Sequence, residues 1–132
     1  MLEKEILNRY RRVAIVGVSS NPERDSYKVA SYLMEHGYNV IPVNPNAPEV
    51  LGRRSYPDLS SIPEKVEVVD IFRRPEDVMP IVEEAISIGA KVVWMQKGVI
   101  NEQAAARGRE AGLAVVMGKC MREEHEKLTQ KG

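Results

Sequence analysis

Three times in this chain a Gly closes a helix-like segment and a short β-branched run follows. The instances are His36-Gly37-Tyr38-Asn39-Val40-Ile41, Ile88-Gly89-Ala90-Lys91-Val92-Val93 and Ala111-Gly112-Leu113-Ala114-Val115-Val116. A Gly just past a helix takes the left-handed conformation without a steric penalty. An apolar run bounded in this way reads as a strand buried on both faces. Strands that alternate with helices form a parallel sheet joined by right-handed crossovers. The cadence therefore predicts an α/β fold.

Five strands fit it, over 12–18, 39–43, 67–72, 91–95 and 113–117. Helices fall between them. The stretch 26–36 places Val29, Ala30, Leu33 and Met34 on one face, and 75–88 places Val78, Ile81, Val82, Ala85 and Ile86 at helical spacing. Pro80 puts the regular part of that second helix a little after Pro75. A third helix, over 101–111, opens on an Asn cap. A leading helix over 2–10 turns Leu2, Ile6, Leu7 and Tyr10 to one side. The exception is 44–66, where Pro45, Pro48, Pro57 and Pro63 leave room for no more than a short helix or turn. At 132 residues the chain is expected to be one domain over 1–132, with the leading helix in 1–10 and a helix and tail in 123–132.

Charge excludes several function classes. Lys plus Arg and Asp plus Glu each number 19, so no general nucleic-acid footprint or polybasic membrane anchor is expected. The single Cys120 excludes an internal disulfide and a CxxC site. His36 and His125 are little material for a zinc site. No run approaches the roughly 20 apolar residues of a membrane span, and 2–12 carries no apolar leader. The expected compartment is the cytoplasm.

In open α/β sheets ligands bind beyond the carboxyl ends of the strands, where strand order reverses. For an expected order of 3-2-1-4-5, that point lies between the first and fourth strands. The segments gathering at this edge are Gly17 to Ser26, Asn44-Pro45-Asn46, Phe72-Arg73-Arg74-Pro75 and Gln96-Lys97-Gly98-Val99. They are rich in small residues, donors and cations, which suits an anion. Gly17 allows a tight turn, and Val18, Ser19 and Ser20 follow with backbone and hydroxyl donors. Arg24 adds a charge, and a helix starting near Ser26 aims its N-terminus at the same place. A dinucleotide fingerprint from Gly17 needs Gly at 19 and 22, where Ser19 and Pro22 stand. The second strand runs into Asn44-Pro45-Asn46 with no acid for ribose hydroxyls, which argues against NAD. Arg73 and Arg74 suit a nucleotide with an extra ribose phosphate. Phe72 is either an adenine platform or a core ring. Cys120 reads as a packed small hydrophobe, His125 as a structural histidine, Trp94 and Met95 as core, and Arg53 and Arg54 as solvent-facing.

Five stretches together resemble a known family. They are Val13-Ala14-Ile15-Val16-Gly17-Val18-Ser19-Ser20-Asn21-Pro22 with its continuation to Ser26, Gly37-Tyr38-Asn39-Val40-Ile41-Pro42-Val43-Asn44-Pro45, Val69-Asp70-Ile71-Phe72-Arg73-Arg74-Pro75, Val93-Trp94-Met95-Gln96-Lys97-Gly98-Val99, and Cys120-Met121-Arg122-Glu123-Glu124-His125. In this order they resemble the small stand-alone coenzyme A-binding proteins, over roughly residues 4–128. That family is similar in fold to the nucleotide-binding domain of the succinyl-CoA synthetase alpha subunit. The resemblance implies a single Rossmann-like domain holding coenzyme A or acyl-CoA. It implies that Gly17, Ser19, Arg24 and Ser26 hold phosphates, that Asn44, Pro45, Phe72, Arg73 and Arg74 surround the adenosine end, and that Gln96, Lys97 and Gly98 lie along the pantetheine or pyrophosphate. Coenzyme A carries roughly four negative charges, and Arg24, Arg73, Arg74 and Lys97 match them. Gly118 departs from the family, where an Asp or Asn often stands.

The synthetase's phosphorylated histidine lies in a second domain, so the resemblance implies a binding module without chemistry of its own. Its partners are then coenzyme A and an acyl-CoA-using enzyme, with no nucleic acid and no membrane. The competing expectation is an NAD(P)-linked oxidoreductase or other nucleotide enzyme on the same fold. A third is a redox carrier in which Cys120 forms a mixed disulfide with coenzyme A.

Overall fold

A computed structural model describes residues 2–130; Met1 and the end of the expected tail, 131–132, lie outside the described residues. The strands are β1 (Arg12–Val16), β2 (Asn39–Val43), β3 (Glu49–Val50), β4 (Arg53–Arg54), β5 (Val68–Ile71), β6 (Val92–Met95) and β7 (Ala114–Met117). The helices are α1 (Leu2–Arg9), α2 (Asp25–Glu35), α3 (Val78–Ser87), α4 (Glu102–Glu110) and α5 (Met121–Thr129). Pro75–Asp77 forms a separate 3-10 turn ahead of α3, as Pro80 requires. Asn101 caps α4, its Oδ1 accepting from the Ala104 N–H at 2.9 Å.

The five long strands make the expected parallel sheet, with helices on both faces. Alternate residues point to opposite sides. Val13, Ile15, Val68, Val92 and Trp94 pack with Ile6 and Leu7 of α1, Val29, Ala30 and Leu33 of α2, and Met121 of α5. Ala14, Val16, Val69, Ile71, Val93 and Met95 pack with α3 and with Ala104 and Ala105 of α4. Leu2, grouped by spacing with Ile6 and Leu7 on one side of α1, is exposed, whereas those two are buried.

The strand order departs from 3-2-1-4-5. It is β2-β1-β5-β6-β7, so the third long strand, β5, pairs with β1 rather than lying outside β2. Pro42 gives the reason. A proline cannot donate to a ladder and so belongs on a sheet edge. Tyr56 covers that edge, donating to the Pro42 carbonyl at 3.0 Å and bridging Val43 in parallel. The chain must cross back to the far side of β1 to continue the sheet. The segment over 44–66 also holds more than a turn: β3 and β4 form an antiparallel hairpin, and Leu59–Ser61 a 3-10 turn. The switch point accordingly lies between β1 and β5. The registers Val16↔Val43, Val16↔Ile71, Ile71↔Met95 and Met95↔Met117 bring all five carboxyl ends into one row.

Candidate functional site

Gly17 and Phe72 leave neighbouring strands at the switch point. The Phe72 N–H donates to the Val16 carbonyl at 2.8 Å, and the Gly17 N–H to the Val43 carbonyl at 3.0 Å. Gly17 has φ +88°, and a Cβ there would run into the Phe72 carbonyl oxygen and lie 2.9 Å from Arg73 Cδ. Only Gly fits this crossing of two loops.

Loop residues then brace one another. The Ser19 N–H donates to Ser26 Oγ at 2.9 Å, and the Asn21 N–H to Ser19 Oγ at 3.0 Å. Asn44 staples the first loop to the second: its Nδ2 donates to the Val18 carbonyl at 2.8 Å and its Oδ1 accepts from the Asn46 N–H at 2.7 Å. Ser26 and Asn44 thus spend hydrogen bonds on loop shape. The N-terminus of α2 begins beside them, and no side chain caps it. Its backbone N–H groups and dipole favour an anion there.

Three clefts run along the carboxyl edge, and Phe72 borders all of them. The first, about 420 Å³, holds Gly17, Val18, Ser19, Arg24, Ser26, Asn44, Pro45 and Arg73. The second, about 570 Å³, holds Arg73, Arg74, Gln96, Lys97 and Gly98. The third, about 550 Å³, lies between α2 and α5, with Gln96 and Lys97 again, Val29 and Cys120. Of the residues expected from sequence to hold the ligand, only Ser20 borders none of the three; it is exposed alongside.

The electrostatics differ from cleft to cleft. In the first, Arg24 and Arg73 face one carboxylate, Asp25. In the second, Arg73, Arg74 and Lys97 face only Asp77. Arg74 is engaged there, 3.1 Å from Asp77 and 3.7 Å from Glu76, whereas Arg73 has no carboxylate partner among the described residues. In the third, Lys28, Lys97 and Arg122 are offset by Asp25, Glu123 and Glu126. Burial pushes the Cys120 thiol above its ordinary pKa, with the Glu123 carboxylate adding to it. A thiol so held is a poor nucleophile. Among the described residues no three His, Cys, Asp or Glu gather as a metal site, and no helix is long and apolar enough to cross a membrane.

His125 is structural, as expected: its Nδ1 lies 2.8 Å from the Tyr32 hydroxyl. Trp94 is fully buried and donates to the Lys119 carbonyl at 2.8 Å. Arg53 reaches Asn39 Oδ1 at 2.7 Å, and Arg54 lies over the Tyr56 ring. Sequence reasoning missed Asp70. It stands in β5 between Ile15 and Trp94, wholly buried, with both carboxyl oxygens unpartnered among the described residues. Its signal was available, as a lone acid inside an otherwise apolar strand.

The pattern that defines the CoA binding domain matches residues 11–126. The chain is 38% identical over 122 residues to the uncharacterized protein YneT of Bacillus subtilis, covering 92% of this chain and 90% of that protein. A hypothetical protein from Pyrococcus horikoshii is 52% identical and superposes with a TM-score of 0.94, over 96% of this chain and 89% of that one. An acetyl-coenzyme A synthetase from Ca. Korarchaeum cryptofilum, dinucleotide forming, is 28% identical with a TM-score of 0.74. There the match spans 84% of this chain and only 26% of the synthetase.

Proposed function

From a chain that belongs to the CoA binding domain family, we propose a module that holds coenzyme A or acyl-CoA along the carboxyl edge of its sheet and does no chemistry alone. One observation carries the placement of the ligand: charge changes along a continuous row of clefts. The phosphates belong at the cationic end, where Arg24, Arg73 and the uncapped start of α2 converge. Gly17 lets backbone approach them closely, and Arg74 and Lys97 extend the positive rim. The third cleft is balanced in charge and has Val29, Phe72 and Cys120 in its walls, which suits the uncharged pantetheine arm. These residues fit the ligand at both ends. The raised pKa of Cys120 supports binding without covalent capture.

A thermal-shift panel with coenzyme A, acetyl-CoA, NAD, NADP and ATP tests this reading. A ligand at 100 times its Kd adds about 2.7 kcal/mol, or about 10 °C for a domain of this size. A shift with the coenzyme A species alone is the expected result. A shift with NAD or NADP alone overturns it and returns the oxidoreductase.

A further inference from the structure

Gln96 follows β6 and is 2% exposed, yet it borders the balanced cleft. Its Nε2 has no hydrogen-bond acceptor among the described residues. A buried donor left without a partner costs roughly 1–3 kcal/mol, so a fold that keeps one needs a reason. Phe72 and Gln96 extend the pairing Ile71↔Met95 by one residue. Asp70 and Gln96 therefore lie on the same side of the sheet, the side that carries Trp94, Met121 and α5. Burial in an apolar layer pushes the Asp70 carboxyl well above the usual carboxylate range and so favours the neutral form, which is a donor. The layer flooring the third cleft, beside its walls of Val29, Phe72 and Cys120, thus holds unpaired donors that are themselves buried. Such a floor suits an uncharged ligand with an acceptor oxygen. It does not suit a thiol, which is a weak donor itself.

We propose that Gln96, with Asp70 behind it, receives the carbonyl oxygen of an acyl thioester, so that the chain selects acyl-CoA over free coenzyme A. This deepens the coenzyme A reading and rests on it. Titration calorimetry with coenzyme A, acetyl-CoA and S-ethyl-CoA separates the two. S-ethyl-CoA keeps the two-carbon bulk and lacks the carbonyl. Wild-type protein is expected to bind acetyl-CoA about fivefold more tightly than S-ethyl-CoA, the size of one neutral hydrogen bond. In Gln96→Leu the two ligands become equal while binding persists. Equal affinity for acetyl-CoA and S-ethyl-CoA in the wild-type protein overturns the thioester site and leaves coenzyme A binding standing. No binding of any of the three overturns both. The wild-type comparison decides even if Gln96→Leu fails to fold.

Discussion

Two adjacent arginines follow β5, and they are not equivalent. Arg74 already holds Asp77 and Glu76, whereas Arg73 borders two clefts and pairs with no carboxylate among the described residues. A cation already neutralised by its neighbours has less to offer a phosphate. A charged hydrogen bond is worth about 1.5–3 kcal/mol, so Arg73→Ala is expected to weaken coenzyme A binding tenfold or more. Arg74→Ala should cost less than about threefold, because the carboxylates it frees are exposed and solvated. Calorimetry on both variants checks the order; equal losses would show that the ion pairs of Arg74 are surrendered on binding. The sequence places the two residues side by side at a strand end and makes both candidates. It cannot rank them, because their difference lies in which carboxylates the following 3-10 turn presents.

At the scale of elements, rings join aliphatic side chains where α5 meets α2. Tyr32 of α2 stacks on His36 with centroids 4.0 Å apart, and both rings meet His125 of α5 edge-on, His36 at 5.1 Å. Tyr38 lies against His125 as well, while Arg11 sits over Tyr38 and Arg122 over Tyr32. Burial, then His36 and Arg11, hold His125 below its ordinary value of 6.5, with Glu126 opposing them. The fold therefore prefers the neutral imidazole. This contribution is complete above pH 6.5 and is lost as pH falls through the lowered folded value. Denaturation at pH 7.5 and pH 5 should show wild-type Tm falling about 2–4 °C further than that of His125→Gln; equal falls in the two proteins would clear His125 of any role. The helices themselves are legible in the sequence, because apolar spacing, the Asn101 cap and the Gly stops agree. The hairpin of β3 and β4 is not. Its turn uses Leu51 at φ +54° before Gly52 at φ +73°, a conformation usually marked by Asn-Gly.

For the molecule as a whole, the parallel sheet was readable and its order was not, although Pro42 already argued for an edge. The same sheet centre carries Asp70, wholly buried on the central strand between β1 and β6. In the unfolded chain the carboxyl ionises near 3.8, whereas burial raises it well above that in the fold. The unfolded state then releases a proton that the folded state keeps. Asp70 thus adds no ionisation cost below about pH 3.8 and lowers stability as pH rises toward its folded value, by up to about 1.4 kcal/mol per pH unit. Below pH 6.5 this opposes the slope from His125, so the two flatten the wild-type profile on its acid side. Asn has no proton to release and keeps the shape of the side chain. Asp70→Asn is therefore expected to gain on wild type in urea denaturation as pH rises from 4.5 toward the folded value of Asp70. Parallel curves for the two proteins would mean that Asp70 is ionised in the fold, and would remove its O–H from the floor of the third cleft.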